Sequence, residues 1–527
     1  MAGTAVSSGR RVAPGEGARA NARASIATAV VTFAALASAL VLPPMVAGGA
    51  LLAVALLYLT RTLVFSWTGA LVALAAVIML VPIRRYALPI PLPFALEPYR
   101  LLIVVLIVAV TVALLVDPAF RWRPVRFGWP IGVFIGTMLL SISVNGAGLV
   151  EQGLAAAAVG AVVNILLLLS VLFTARQLLR EERHVMLLLT FLAWAGAAVG
   201  VFAMVEKVTR QNVFLMLGNV LPLTLLREEG ESLRAGGARA YASAQHPIAL
   251  AVLLCMLVPI AIYLAKYAGW PRNEINRRIV YGVVVGCLLL GVLAAISRTA
   301  VVVLAVMFLV TLVFRPYLAI TLGLLALPAL LLGMAVQPKI VGELVGSFFD
   351  LDSLVASQYT SAGWGGAGRL ADLEPAMREA ATLPFFGTGP GSRIVIGEER
   401  NAYILDNQVL GTLLETGAVG VIGLAVFVLA PPIMLLAFAF RSTAALRHRF
   451  LAFAIAISCS GYAAALFFYD AFGFMQTFLV LCLLLACGAW VLTEAPSRVP
   501  IAAPGTMPRG TPNPEHRPRP SAPEPAA

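Results

Sequence analysis

Charge is what this chain has least of. Only 12% of its residues are Asp, Glu, Lys or Arg, about half the share of an ordinary soluble domain. Counting soluble domains from length therefore has no meaning here. With 61% hydrophobic residues and a mean hydropathy of +0.94, the composition is that of a polytopic helical membrane protein. Cysteine is scarce as well. Cys255, Cys287, Cys459, Cys482 and Cys487 all fall inside apolar runs, which argues against a disulfide framework and for core packing. The four histidines, His184, His246, His448 and His516, are scattered, so neither a metal site nor a cofactor is expected. A cleavable signal peptide is not expected either. The N-terminal lead is long and polar, and the first hydrophobic segment reads as an anchor.

What is present is a series of apolar runs. They lie near 26–42, 45–60, 63–81, 100–116, 129–143, 154–175, 185–205, 247–265, 279–296, 299–315, 317–336, 417–440, 450–469 and 472–493. The predicted fold is all-α, a transmembrane bundle of about 12–14 spans. Residues 1–24, basic through Arg10, Arg11, Arg19 and Arg23, and the Pro-rich tail 494–527 are expected to be disordered on either side of a transmembrane unit over 25–493. An even count of spans puts both termini on one side. The arginine-rich short loops share that side: Arg121/Arg123/Arg126, Arg176/Arg180/Arg183, Lys266/Arg272/Arg277/Arg278 and Arg441/Arg447/Arg449. The positive-inside rule then makes both termini cytoplasmic in a multi-pass protein of the cytoplasmic membrane. One loop dissents. Residues 83–100 fall outside yet carry Arg84, Arg85 and Arg100, so either an early span is miscounted or these arginines meet an anionic partner there. The outer face also receives two long loops, about 206–246 and 337–416, and the Ser297–Arg298 turn.

The longer loop holds the most informative stretch, Arg369 to Gly420. Leu370, Leu373, Met377 and Ala380 recur at helical spacing among charged residues, which predicts a short amphipathic helix over 369–382. Pro384 ends it. Gly387, Gly389 and Gly391 around Pro390 predict a tight turn whose backbone can approach a ligand closely. A second short helix over 406–416 carries Val409, Leu410, Leu413 and Leu414 on one side and stops at Gly417.

Several polar residues near these loops are candidates for chemistry. Arg239 stands just before a span and Arg298 at a hairpin between two apolar runs. An arginine there is costly unless it faces protein, water or an anion. The ordinary reading is snorkelling or a structural ion pair. The functional one is a phosphate grip, because guanidinium offers paired donors and stays charged. His246, before Pro247, is either a helix-entry residue bonded to backbone or a group for acceptor binding or proton transfer. Asp406 is either an N-cap or a general base. Glu415 is a second carboxylate of that kind. Asp470 lies between the last two spans and pairs an arginine or touches substrate.

Three stretches together resemble the O-antigen ligase/polymerase superfamily of bacterial polytopic glycosyltransferases, over about residues 81–492. They are RAYASAQHPIALA, SRTA, and GRL…LPFFGTGPGS…DNQVLGTLLETGAVG. The resemblance implies a metal-independent transfer on the outer face. The donor would be a glycan on polyprenyl pyrophosphate, the acceptor a hydroxyl of a glycan or glycolipid, and nucleic acid is not an expected partner. It implies that Arg239 and Arg298 grip the pyrophosphate and that Arg369 is the loop Gly-Arg. Asn407, Glu415, Gly387 and Gly389 fall on its loop pattern. Ligases of this family place a His directly before the loop Asn, where this chain has Asp406, so a polymerase or a ligase for another envelope glycan fits better. The rival class is a transporter or flippase of lipid-linked glycans, which predicts internal repeats and mid-membrane polar groups; a scaffold subunit of an envelope-synthesis complex is a third reading.

Overall fold

The computed structural model describes residues 66–89, 95–226, 233–234, 237–336, 369–393, 395–396, 399–400 and 407–495. The two earliest predicted spans, both tails and Asp406 lie outside the described residues. In chain order the helices are α1 (Trp67–Leu80), α2 (Pro98–Val116), α3 (Gly128–Glu151), α4 (Ala155–Leu178), α5 (Glu182–Thr209), α6 (Pro247–Tyr267), α7 (Glu274–Ala294), α8 (Arg298–Phe314), α9 (Pro316–Val336), α10 (Arg369–Thr382), α11 (Gln408–Arg441), α12 (Leu446–Ala465) and α13 (Met475–Glu494). Strands among the described residues are two-residue pairs. The protein is a polytopic helical bundle. Eight of the described helices are long and apolar enough to cross a membrane. Each predicted span from 63–81 onward corresponds to one helix, although α3 runs on to Glu151 where the apolar profile ends near 143.

Two helices form the axis. Along α6 and α13 nearly every side chain is buried. Their composition explains the fit: Ala, Leu, Cys and Val, with few groups that need water. The outer helices show two faces instead. On α2, Tyr99, Ile103, Leu106 and Val110 point inward at helical spacing, while Val105, Val108 and Val112 face out. An apolar outward face is the surface a bilayer would cover. Between α5 and α7 the backbones touch. A Cβ on Gly200 would sit 2.3 Å from the Cys287 carbonyl oxygen, so the Gly196-x-x-x-Gly200 stripe lets the two helices close.

At the Arg176 end, α4 and α13 are locked by charge. Arg176, fully buried, pairs with Glu494 at 2.6 Å and donates to the Leu179 carbonyl oxygen at 3.1 Å. Glu494 also pairs with Arg123. A buried guanidinium is tolerable there because both of its terminal nitrogens are bonded and a carboxylate offsets its charge.

Candidate functional site

At the opposite end, residues 239–245 form a buried, irregular segment between α5, the α7–α8 turn and α13. Backbone of this kind must find partners for each N–H and C=O. On one side Ala240 N–H donates to the Ala294 carbonyl oxygen at 3.2 Å, and Arg239 Nε donates to that of Ala295 at 3.1 Å. Ala295 is three residues before Arg298, so the two predicted arginines share one wall. On the other side the Glu206 carboxylate accepts from Tyr241 N–H at 3.2 Å and Ala242 N–H at 2.8 Å. Asn212 Nδ2 donates to the Ala242 carbonyl oxygen at 2.9 Å. These three bonds hold Ala242 at a φ of 47°, a left-handed conformation that costs energy for a residue with a Cβ.

The dissenting arginines find partners here. Arg85 is buried, stacks over the Tyr241 ring at 4.6 Å, and donates from Nη2 to the Gln245 carbonyl oxygen at 3.3 Å. Its charge acts on Glu206. Arg84 N–H donates to Glu97, which pairs with Arg100 at 3.5 Å. Tyr86–Ala87 pairs antiparallel with Thr224–Leu225, which fixes the loop against the 206–226 segment. Two of the three arginines thus have carboxylates of the protein itself nearby, Arg85 with Glu206 and Arg100 with Glu97.

Glu206 was not legible as a functional group. Its only signal is a carboxylate near the C-terminal end of an apolar helix, where the helix dipole disfavours it. The structure supplies the reason for tolerating it. Replacing Glu206 by Ala strands two buried N–H groups, so we expect about 3 kcal/mol of destabilisation, and less for Glu206→Gln, which keeps an acceptor. Thermal unfolding in detergent measures both.

His246 closes this segment as the N-cap of α6. Its Nδ1 accepts from Ile248 N–H at 3.2 Å, so the neutral ring carries its proton on Nε2. The ring stacks on Phe474 at 5.3 Å. Phe474 ends the α12–α13 turn, in which Asp470 Oδ1 accepts from Gly473 N–H at 2.9 Å. The same turn holds the start of α11. Gln408 N–H donates to the carbonyl oxygens of Leu466 and Tyr469, and Phe472 N–H donates to Gln408 Oε1. His246, Asp470 and Asn407 thus meet at one turn.

Asn407 is the N-cap of α11, with Oδ1 accepting from Leu410 N–H at 3.0 Å. The predicted helix over 406–416 starts two residues later than expected, and the capping role weighed for Asp406 belongs to its neighbour. An Asp-Asn pair offers two equivalent caps, and sequence alone does not choose between them.

The glycine turn meets α11 backbone to backbone. Gly417 (φ 67°, ψ −168°) breaks α11 into 408–416 and 418–441. A break frees carbonyls before it and N–H groups after it. The 384–389 turn supplies the complement. Thr388 N–H donates to the Leu414 carbonyl oxygen at 3.0 Å and Gly389 N–H to that of Glu415 at 2.7 Å, while Ala418 and Val419 donate to the Pro384 and Phe385 carbonyl oxygens at 2.8 and 3.2 Å. Gly387 permits the approach, since a Cβ there would lie 2.4 Å from the Leu414 carbonyl oxygen. Gly389 packs on Leu149 of α3. The close approach that Gly387 and Gly417 allow is to the protein's own backbone.

Glu415 sits at this junction. Its carboxyl accepts from Gly391 N–H and feels the charges of Arg393 and Asp470. Arg393 in turn pairs with Glu379 of α10. The α10 helix spans the predicted 369–382 and packs Ala376 and Ala380 on Leu410, Leu413 and Leu414. Arg369 opens it, and its side chain lies outside the described residues. Among the described residues no group of His, Cys, Asp or Glu is placed to hold a metal.

No protein-family model and no curated protein matches the chain.

Proposed function

We propose that the protein is a membrane glycosyltransferase of the polymerase or ligase type, working on the extracytoplasmic face of the cytoplasmic membrane with both termini in the cytoplasm. It takes a glycan from a polyprenyl-pyrophosphate donor and gives it to an acceptor hydroxyl. The observation that carries this reading is the buried 239–246 segment. It holds Arg239 beside the turn that leads to Arg298, and it ends at His246 against the turn that holds Asn407 and Asp470. Phosphate-binding donors and candidate proton acceptors are gathered at one end of the bundle. Among the described residues the charged side chains lie near helix ends and in loops, which disfavours a transporter with a mid-membrane site.

In this scheme Arg239 and Arg298 bind the pyrophosphate and stabilise its charge as it leaves. The acceptor oxygen attacks the anomeric carbon. The bond from that carbon to the pyrophosphate oxygen breaks, and the pyrophosphate departs with the electron pair. Asp406, directly before the α11 cap, takes the hydroxyl proton. The α10 helix and the glycine turn cover the glycan and exclude water.

Orientation is checked by labelling. Glu374 of α10 has an exposed side chain. In a cysteine-free background, Glu374→Cys should react with an impermeant maleimide on intact cells. Reaction only after permeabilisation removes the extracytoplasmic assignment. Activity is checked by deleting the gene and analysing the lipid-linked glycans. Accumulated single repeat units indicate a polymerase, and accumulated full-length chains on lipid indicate a ligase. No change in either pool contradicts the proposal.

A further inference from the structure

The end of the bundle that we assign to the cytoplasm carries a cationic cluster with no role in this transfer. Arg315, between α8 and α9, lies over three rings, with its guanidinium carbon 4.1 Å from the Phe450 centroid, 5.1 Å from Phe453 and 5.3 Å from Phe440. Lys266, near the end of α6, places Nζ 5.3 Å from the same Phe450 ring and 5.5 Å from Tyr267. Arg449 precedes Phe450, and its charge acts on Arg315. Its Nε donates to the Ala439 carbonyl oxygen at 2.7 Å, which leaves the rest of the fork for another acceptor.

Two cations meet over the Phe450 ring and Arg449 is the residue next to it in the chain, and among the described residues no carboxylate pairs with any of the three. Four carboxylates at this end are engaged elsewhere: Glu181 with Arg183, Glu182 with Arg447 and His448, Glu274 with Arg278, and Glu494 with Arg123 and Arg176. Two buried polar atoms in the cluster, Arg315 Nε and the Tyr267 hydroxyl, have no hydrogen-bond partner. Ring quadrupoles attract a cation but accept no hydrogen bond of ordinary strength. An oxyanion between Lys266, Arg315 and Arg449 would satisfy both the charge and the donors. The neighbouring surface is apolar. Val313, Tyr317 and Ile320 are exposed beside Arg315, and Phe314 stacks on Phe440 at 5.5 Å.

We infer that Lys266, Arg315 and Arg449, on the aromatic floor of Phe440, Phe450 and Phe453, form a binding site for the headgroup phosphate of an anionic glycerophospholipid. The cations and Tyr267 take the phosphate, and the acyl chains lie along α8 and α9. A zwitterionic lipid brings its own ammonium group, so net anionic lipids are selected.

The test is native mass spectrometry of the full-length protein in a neutral detergent, with equal amounts of phosphatidylglycerol and phosphatidylcholine of matched chains. Phosphatidylglycerol should be retained preferentially. Each cation removed should lower that preference about fivefold, in Lys266→Gln and in the Lys266→Gln/Arg315→Gln double variant. Lys266 is exposed, so its single variant carries the test if the double one does not fold. Arg278→Gln, at the same end but paired with Glu274, should leave the preference unchanged. Equal retention of the two lipids overturns the inference, as does an Arg278→Gln effect as large as that of Lys266→Gln. Displacement of the lipid by millimolar inorganic phosphate overturns the assignment to a lipid.

Discussion

Asp406→Asn is expected to lower turnover by roughly 10²–10⁴-fold, the usual worth of a positioned acid or base, while expression and thermal stability stay near those of the unaltered protein. Two roles were open for this residue, cap and base, and they respond differently. A cap tolerates Asn, because Asn accepts from backbone N–H groups as well as Asp does. A base does not, because a neutral amide takes no proton at useful pH. Asn407 caps α11, and Asn in place of Asp406 keeps a side chain that can cap, so loss of activity in Asp406→Asn at unchanged stability would not be a capping effect. The matching control is Asn407→Ala, which should cost about 1 kcal/mol of stability. Asp406→His should retain part of the activity, since imidazole also accepts a proton. If Asp406→Asn turns over normally, the proton goes elsewhere, and His246, Glu415 and Asp470 are the groups to test.

The second large effect is expected at the α11 break. Gly417→Val places a β-branched residue at a φ of 67° and a ψ of −168°, a region that essentially only glycine occupies. Its Cβ would also lie 2.2 Å from the Phe385 carbonyl carbon. Strain and clash together should cost about 3 kcal/mol or more. The 384–389 turn would then part from α11, taking with it the bonds that hold Glu415. The melting temperature and the transfer activity should fall together. Gly411, six residues earlier on the same helix, is the control. A Cβ there meets nothing within 4 Å, so Gly411→Ala should be neutral or stabilising by about 1 kcal/mol. An unchanged melting temperature in Gly417→Val would mean that the turn and the break do not depend on each other.

These two cases show where sequence reading stops. The helices from Trp67 onward were legible because long apolar runs leave few alternatives, and the helix over 369–382 was legible because Leu373, Met377 and Ala380 keep helical spacing between charges. Gly417 was legible as a stop. Its partner was not, because the exchange with Pro384–Gly389 runs backbone to backbone and asks for no particular side chain beyond the glycines that permit it. The same holds for Glu206, which binds main-chain N–H groups thirty-five and thirty-six residues away. Arg239 and the Ser297–Arg298 turn were expected near each other because their loops share a face, and the structure joins them through the Arg239–Ala295 bond. Arg85 stood out only as an exception to the charge rule. Its explanation needed Tyr241, Gln245 and Glu206, which no spacing connects to it.

The central claim, that a lipid pyrophosphate is the leaving group held by Arg239 and Arg298, is tested most directly by transfer with purified protein. The donor is the lipid-linked glycan extracted from the deletion strain, supplied in nanodiscs with a chelator present, and the same extract provides acceptor ends. The unaltered protein should lengthen or transfer the glycan and release one polyprenyl pyrophosphate for each bond made. Arg239→Lys and Arg298→Lys keep the charge but lose the paired donors, and each should be slower by about 10²-fold at normal protein yield. Full activity in both variants, or no transfer by the unaltered protein from a donor it has bound, would contradict the account.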